Sequence, residues 1–265
     1  MVRSAPMDPG ALRAEWEAWK AERVARLTGE RGWLSVVALR WLAPGVNHVE
    51  GLPGTFTLRE GRVELVARPV DGYAVGGVPV ERRVLASDAS PVPDLLSLGN
   101  RSVMVLERGG KLALRVWDGD AAARRGFEGI ETFPFDLAWR VLARWEAWPT
   151  PRPVEVVDVT GSVATRLVPG RAIFTMGGRE LSLEPTAEGD RLAFVFRDAT
   201  AGVETYGSGR FLTADGPRDG GLVLDFNRAF NPPCAYTPFA TCPLPRPGNV
   251  LPIRVTAGER YGPGR

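Results

Sequence analysis

The sequence predicts a mainly β protein: an antiparallel β-sandwich or partly closed β-barrel with an N-terminal α-helix packed on it. Three observations carry this. Helical periodicity is sustained only near the N-terminus. After it, short apolar runs are divided by Gly-rich turns at intervals of about 8–12 residues, the pattern of an all-β domain. No alternation of strand with long helix is visible, which argues against a doubly wound α/β fold.

The helix starts at Asp8-Pro9, because Asp accepts from free N–H groups and Pro suits the first turn. Leu12, Trp16, Trp19, Val24 and Leu27 then share one side, and Thr28-Gly29 ends it. The apolar run 33–42 fits either a strand or a buried helical turn. Strands are expected over 62–67, 102–107, 111–117, 154–159, 162–168, 171–176, 179–183, 191–197, 205–212, 221–227 and 251–256. Gly109-Gly110 and Gly177-Gly178 sit between pairs of these and supply the positive φ angles of tight hairpins. The expected organisation is a helical segment, 1–30, and one mainly-β domain, 31–265, with a signature region at 204–256. The proline-rich stretch 149–153 is the one soft boundary inside that domain.

Composition narrows the function classes. Hydrophobic residues make up 44% of the chain, enough for a substantial core, and the formal net charge is only +2. Arginines alternate with acids instead of forming a basic face, so no nucleic-acid partner is expected. No apolar run reaches the length of a membrane span, and MVRSAPMDPG lacks the apolar core of a signal peptide. A cytoplasmic protein without a membrane partner is the expectation. One histidine, His48, and two cysteines leave no four-ligand N/S zinc site in one chain. No metal and no other cofactor is expected. The pair Asp118 and Asp120 lacks the further ligands of a calcium loop and reads as a turn.

The candidate chemistry concentrates near the C-terminus. Taken as a strand, 204–212 puts Glu204, Tyr206, Ser208 and Arg210 on one face. In 221–227, Asp225 and Asn227 share a face with Val223. If these strands pair through the 213–220 loop, Tyr206 and Arg210 meet Asp225 and Asn227. Arg210 then holds an anion with its planar fork, and Asp225 serves as orienter or as base. Asn231, the prolines after it and Cys234 follow in a stiff loop unable to form ladder bonds. Cys234 and Cys242 are read three ways: buried structural thiols, a disulfide or redox pair, or a nucleophile at Cys234 activated by a nearby arginine. Arg125 and Tyr236 complete the ligand-binding set with Tyr206, Arg210, Asn227 and Asn231; the candidate catalytic set is Asp225, Arg210 and Cys234.

The run YGSGRFLTADGPRDGGLVLDFNRAFNPPCAYTPFATCPLPRPGNVLPIRVTAGERY resembles the bacterial domain-of-unknown-function family 1684. RGWLSVVALRWL and ARRGFEGIETFPFD are similar to the other two landmarks of that family. The resemblance implies one shared fold and brings no catalytic residues. Some relatives look exported or lipid-anchored, and this chain is expected to lack their leader. Three functions stand open. The first is binding of a small anionic molecule in a polar pocket beside the signature. The second is hydrolase- or lyase-type catalysis in the same pocket. The third is protein docking through the proline-rich loop.

Overall fold

The N-terminal helix forms where its capping signal stands. In the computed structural model, which describes residues 8–261, the Gly10 N–H donates to Asp8 Oδ1 at 3.1 Å and the helix runs Pro9–Thr28. Leu12, Trp16 and Leu27 are buried, and so is Arg23, a charge on the apolar side. The opening residues 1–7, read from the sequence as lacking a signal-peptide core, lie outside the described residues.

The chain forms two compact units, one of Met1–Val24, Gly129–Ala235 and Thr241–Arg265, the other of Ala25–Glu128 and Tyr236–Ala240. The second unit holds a six-stranded and a four-stranded antiparallel sheet. Phe56, Val63 and Leu65 from the smaller sheet share a core with Val103, Val105, Leu114 and Val116 from the larger. Burial at every second residue is what a half-buried strand imposes. The ambiguous run 33–42 contains both alternatives: a 3-10 turn, Trp33–Ser35, then a strand, Val36–Trp41.

The first unit carries the signature. Its four-stranded sheet has the order Arg179–Leu183, Val163–Met176, Arg140–Val157, Gly221–Asp225. Its three-stranded sheet has the order Thr186–Glu188, Arg191–Phe196, Arg210–Asp215. Phe226 sits in the core of this unit, its ring 5.7 Å from Phe174 and 5.6 Å from Phe196. Each such buried ring contributes about 2–3 kcal/mol. Gly177 and Gly178, at φ +59° and +73°, join Met176 to Arg179 as expected.

The fold class is therefore mainly antiparallel β with an N-terminal helix. Four local expectations are corrected. The proline stretch 149–153 is no linker but lies inside the strand Arg140–Val157, where the register slips between Ala147 and Arg152; the slip relieves prolines of ladder donation. The strand expected at 205–212 begins only at Arg210, because Gly209 takes φ +96° and breaks the extended run. The segment 251–256 forms no strand, although Leu251 donates to the Arg197 carbonyl and Ala199 to that of Ile253. Finally, Arg210–Asp215 pairs with Arg191–Phe196, and Gly221–Asp225 pairs with Arg140–Val157, so the expected hairpin between them does not form. Among the described residues, no helix is long and apolar enough to cross a membrane.

Candidate functional site

Pairing with Arg191–Phe196 sends Arg210 inward. Its side chain is 1% exposed. Nη1 donates to the carbonyls of Ala257 and Glu259, and Nη2 donates to the Val255 carbonyl at 2.9 Å and to Asp198 Oδ1 at 3.4 Å. Burial pulls its pKa down, and the Asp198 and Glu259 carboxylates oppose that pull. Asp198 also accepts from the Thr200 hydroxyl at 2.9 Å and the Val255 N–H at 2.6 Å. Arg210 is thus a clamp on the 255–259 backbone, and its expected role as an anion holder is corrected: four of its contacts are internal and none faces water.

A second buried ion pair stands beside it. Glu259, 0% exposed, accepts from Arg23 Nε at 2.9 Å and from the Asn231 N–H at 2.8 Å. Arg23 Nη2 donates to the Asn231 carbonyl at 2.8 Å. Asn231 Nδ2 reaches the Arg260 carbonyl at 2.9 Å. Asn227 is equally committed: its amide exchanges bonds with the Asp136 backbone, and its carbonyl accepts from Trp16 Nε1 at 2.9 Å. Asp225 Oδ1 accepts from the Asn227 N–H at 3.1 Å and from its amide at 2.9 Å, closing a 3-10 turn. Asp225 and Arg210 lie in different sheets, so the polar patch expected between them is corrected too. Asn227, Asn231 and Asp225 build the framework of the signature.

What the structure does bring together is Tyr206, Cys234 and Cys242. Phe211 and Phe230 exchange backbone hydrogen bonds at 2.8 Å, which fixes the start of the loop. Pro232 and Pro233 then turn the chain into a short 3-10 helix, Pro233–Ala235, that carries Cys234. Cys242 is pinned from the other side. Its carbonyl accepts from the Val159 N–H at 2.9 Å, and Leu244 donates to the Val157 carbonyl at 2.8 Å. The Cys234 N–H donates to Cys242 Sγ at 3.2 Å. Both thiols are reduced; Cys234 is half-buried, whereas Cys242 is 4% exposed.

Tyr206 bonds to the same loop. Its hydroxyl donates to the Cys234 carbonyl at 3.0 Å, and its ring meets Tyr261 edge-on with centroids 5.0 Å apart. The hydrogen bond from Cys242 brings the Cys234 thiol down to about 7; burial opposes this, and the Tyr206 hydroxyl adds to it. Burial pushes the Tyr206 phenol above its ordinary value, which keeps it protonated and a donor. A thiol titrating near neutrality has the property a thiolate nucleophile needs.

Arg125 and Tyr236 belong to the second unit. Arg125 is exposed at the end of the helix Ala122–Arg125, and Tyr236 stacks edge-on with Phe127 at 6.3 Å. The second unit also has a polar cleft of about 370 Å³ lined by Glu30, Asn100, Arg101, Asp120 and Arg124. Arg101 is paired with Asp118 at 3.0 Å, and Arg124 donates to the Thr28 and Gly119 carbonyls. The Asp118–Asp120 stretch is the turn expected from the sequence, with Asp118 Oδ1 accepting from the Asp120 N–H at 2.9 Å.

A family described as "Protein of unknown function (DUF1684)" matches residues 125–260. The chain belongs to that family. The match takes in Tyr206, Cys234 and Cys242, so the thiol site of this DUF1684 member lies within the family region. A solution NMR structure of an uncharacterised protein of Haloarcula marismortui is similar at 32% identity. The similarity covers 52% of this chain and 79% of that one, with a TM-score of 0.45. No curated protein matches.

Sequence reasoning missed Arg23, Asp198, Glu259 and Tyr261. A usable signal existed for Arg23, which interrupts the apolar side of the helix between Trp16 and Leu27. Glu259 and Tyr261 stand in the resemblance itself. Asp198 had no local signal.

Proposed function

We propose that the protein binds a small molecule over Tyr206 and Cys234 and that the Cys234 thiolate is the reacting group. The single observation that carries this is the half-buried Cys234 thiol set against Cys242 and Tyr206. The expectation of a small-molecule ligand is kept in this reading. The anion contact through Arg210 is not, since that guanidinium is internal. A cytoplasmic setting, where thiols stay reduced, is part of the proposal.

Alkylation with iodoacetamide tests it. An ordinary thiol with a pKa of about 8.5 is about 3% thiolate at pH 7. Cys234, at about 7, is about half thiolate there. Lower basicity weakens each thiolate, with a Brønsted slope of about 0.4–0.5, so the net gain is about three- to fourfold over an unperturbed thiol. The expected rate profile rises with pH and is half-maximal near 7; Cys234→Ser removes the fast phase. A midpoint above pH 8 would sink the proposal.

Tyr206 is a positioning residue in this scheme. Tyr206→Phe deletes the hydroxyl, whose single hydrogen rests on the Cys234 carbonyl and turns to the thiolate when that forms. The expected result is an alkylation midpoint moved to higher pH, with a stability loss of about 1 kcal/mol. A purely structural tyrosine would lower stability and leave the midpoint in place.

A further inference from the structure

Cys234 has a second sulfur as its neighbour, held on a separately anchored segment. The Cys234 N–H contacts Cys242 Sγ at 3.2 Å, which puts that sulfur beside the Cα and Cβ of Cys234. Cys242 is fixed by the bonds its own segment makes to Val157 and Val159, so it stays at hand whatever Cys234 binds. Exposure differs between the two: an incoming molecule meets Cys234, while buried Cys242 is reached only from within. One accessible thiol with a shielded partner in contact is the arrangement a two-step exchange requires.

Resting on the reading of Cys234 as nucleophile, we propose that its substrate is a low-molecular-weight disulfide and that Cys242 is the resolving thiol. In the first step the Cys234 thiolate attacks one sulfur of the disulfide R–S–S–R. A bond forms between Cys234 Sγ and that sulfur, the S–S bond of the small disulfide breaks, and the other half leaves as R–S⁻ and takes up a proton from water. In the second step Cys242 loses its proton and attacks the Cys234 sulfur. The Cys234–Cys242 disulfide forms, and the second R–S⁻ leaves and is protonated. The protein is oxidised by two electrons, and the small disulfide is reduced to two thiols. A disulfide needs its Cβ atoms about 3.5–4.5 Å apart; the backbone-to-sulfur contact already brings the two side chains within a short rearrangement of that spacing.

Bis(2-hydroxyethyl) disulfide serves as the probe, with intact-protein mass and peptide mapping as readouts. Wild-type protein is expected to become two hydrogens lighter and to release both halves of the probe as thiol. Cys242→Ser is expected to stop at a one-to-one adduct mapped to Cys234, and Cys242→Ala, which removes any hydroxyl contact, to do the same. Cys234→Ser is expected to form neither product on the same time scale. A wild-type protein that also stops at the stable Cys234 adduct would overturn the resolving role while leaving the nucleophile reading intact. Absence of any adduct, together with no fast alkylation of Cys234 by iodoacetamide, would overturn both.

Discussion

Arg210→Ala is expected to lower the stability of the chain by about 3–5 kcal/mol, the range for removing one partner of a buried ion pair. The substitution leaves the Asp198 carboxylate buried without its cation. It also strips donors from the carbonyls of Val255, Ala257 and Glu259, a segment that no ladder holds. Each buried acceptor left without a partner costs about 1–3 kcal/mol, and the losses overlap because the freed backbone relaxes as one piece. Arg210→Lys is expected to recover little, since an ammonium lacks the planar fork that bridges several acceptors. Urea denaturation of wild type and both variants measures this. A loss under 1 kcal/mol would return Arg210 to the list of residues available to an anionic ligand.

Gly258→Ala is the second large effect, expected at about 2–5 kcal/mol. Gly258 has φ +78°, and an added Cβ would lie 2.4 Å from the Ala229 carbonyl oxygen and 2.8 Å from that of Phe226. Both obstacles are backbone, so neither moves by a rotamer change. Left-handed backbone alone costs a non-glycine residue about 1–2 kcal/mol, and overpacking adds about 1–3 kcal/mol. Gly220→Ala separates the two contributions. Gly220 has nearly the same angle, φ +77°, with nothing within 4 Å of the added carbon. It should lose only the backbone part. Equal urea midpoints for the two alanine variants would show that the contact with residues 226 and 229 does not constrain the segment.

These two effects explain why the signature is dense in polar residues yet offers few of them to a ligand. Asn227, Asn231, Arg210 and Glu259 knit the loop, the N-terminal helix and the irregular C-terminal segment of the first unit into one hydrogen-bonded frame. The frame leaves Cys234 and Tyr206 half-buried, and these are the residues the proposed function uses.

Several features follow from the sequence by itself. The Asp8-Pro9 helix start, the Gly-Gly hairpins and the alternating apolar strands are local properties, because capping, positive φ and a two-residue period act over a few neighbouring residues. The resemblance over 206–261 likewise located the signature. Partner choice was decided only by the tertiary structure. Alternation along 204–212 is compatible with a strand, but Gly209 at φ +96° breaks it, and Arg210 then pairs with Phe196. The consequence is a reversal of role, since a planar cation on a solvated face is a ligand site and the same cation against Asp198 is a clamp. Arg23 and Glu259 are 236 positions apart, and no window of sequence shows that their charges neutralise one another. The same holds for Cys234 and Cys242: their spacing is plain in the sequence, but the contact between them depends on Val157 and Val159 holding the second cysteine in place. Local pattern sets caps, turns and the alternation along a strand; which face is buried and which charges pair are set by what arrives from elsewhere in the chain.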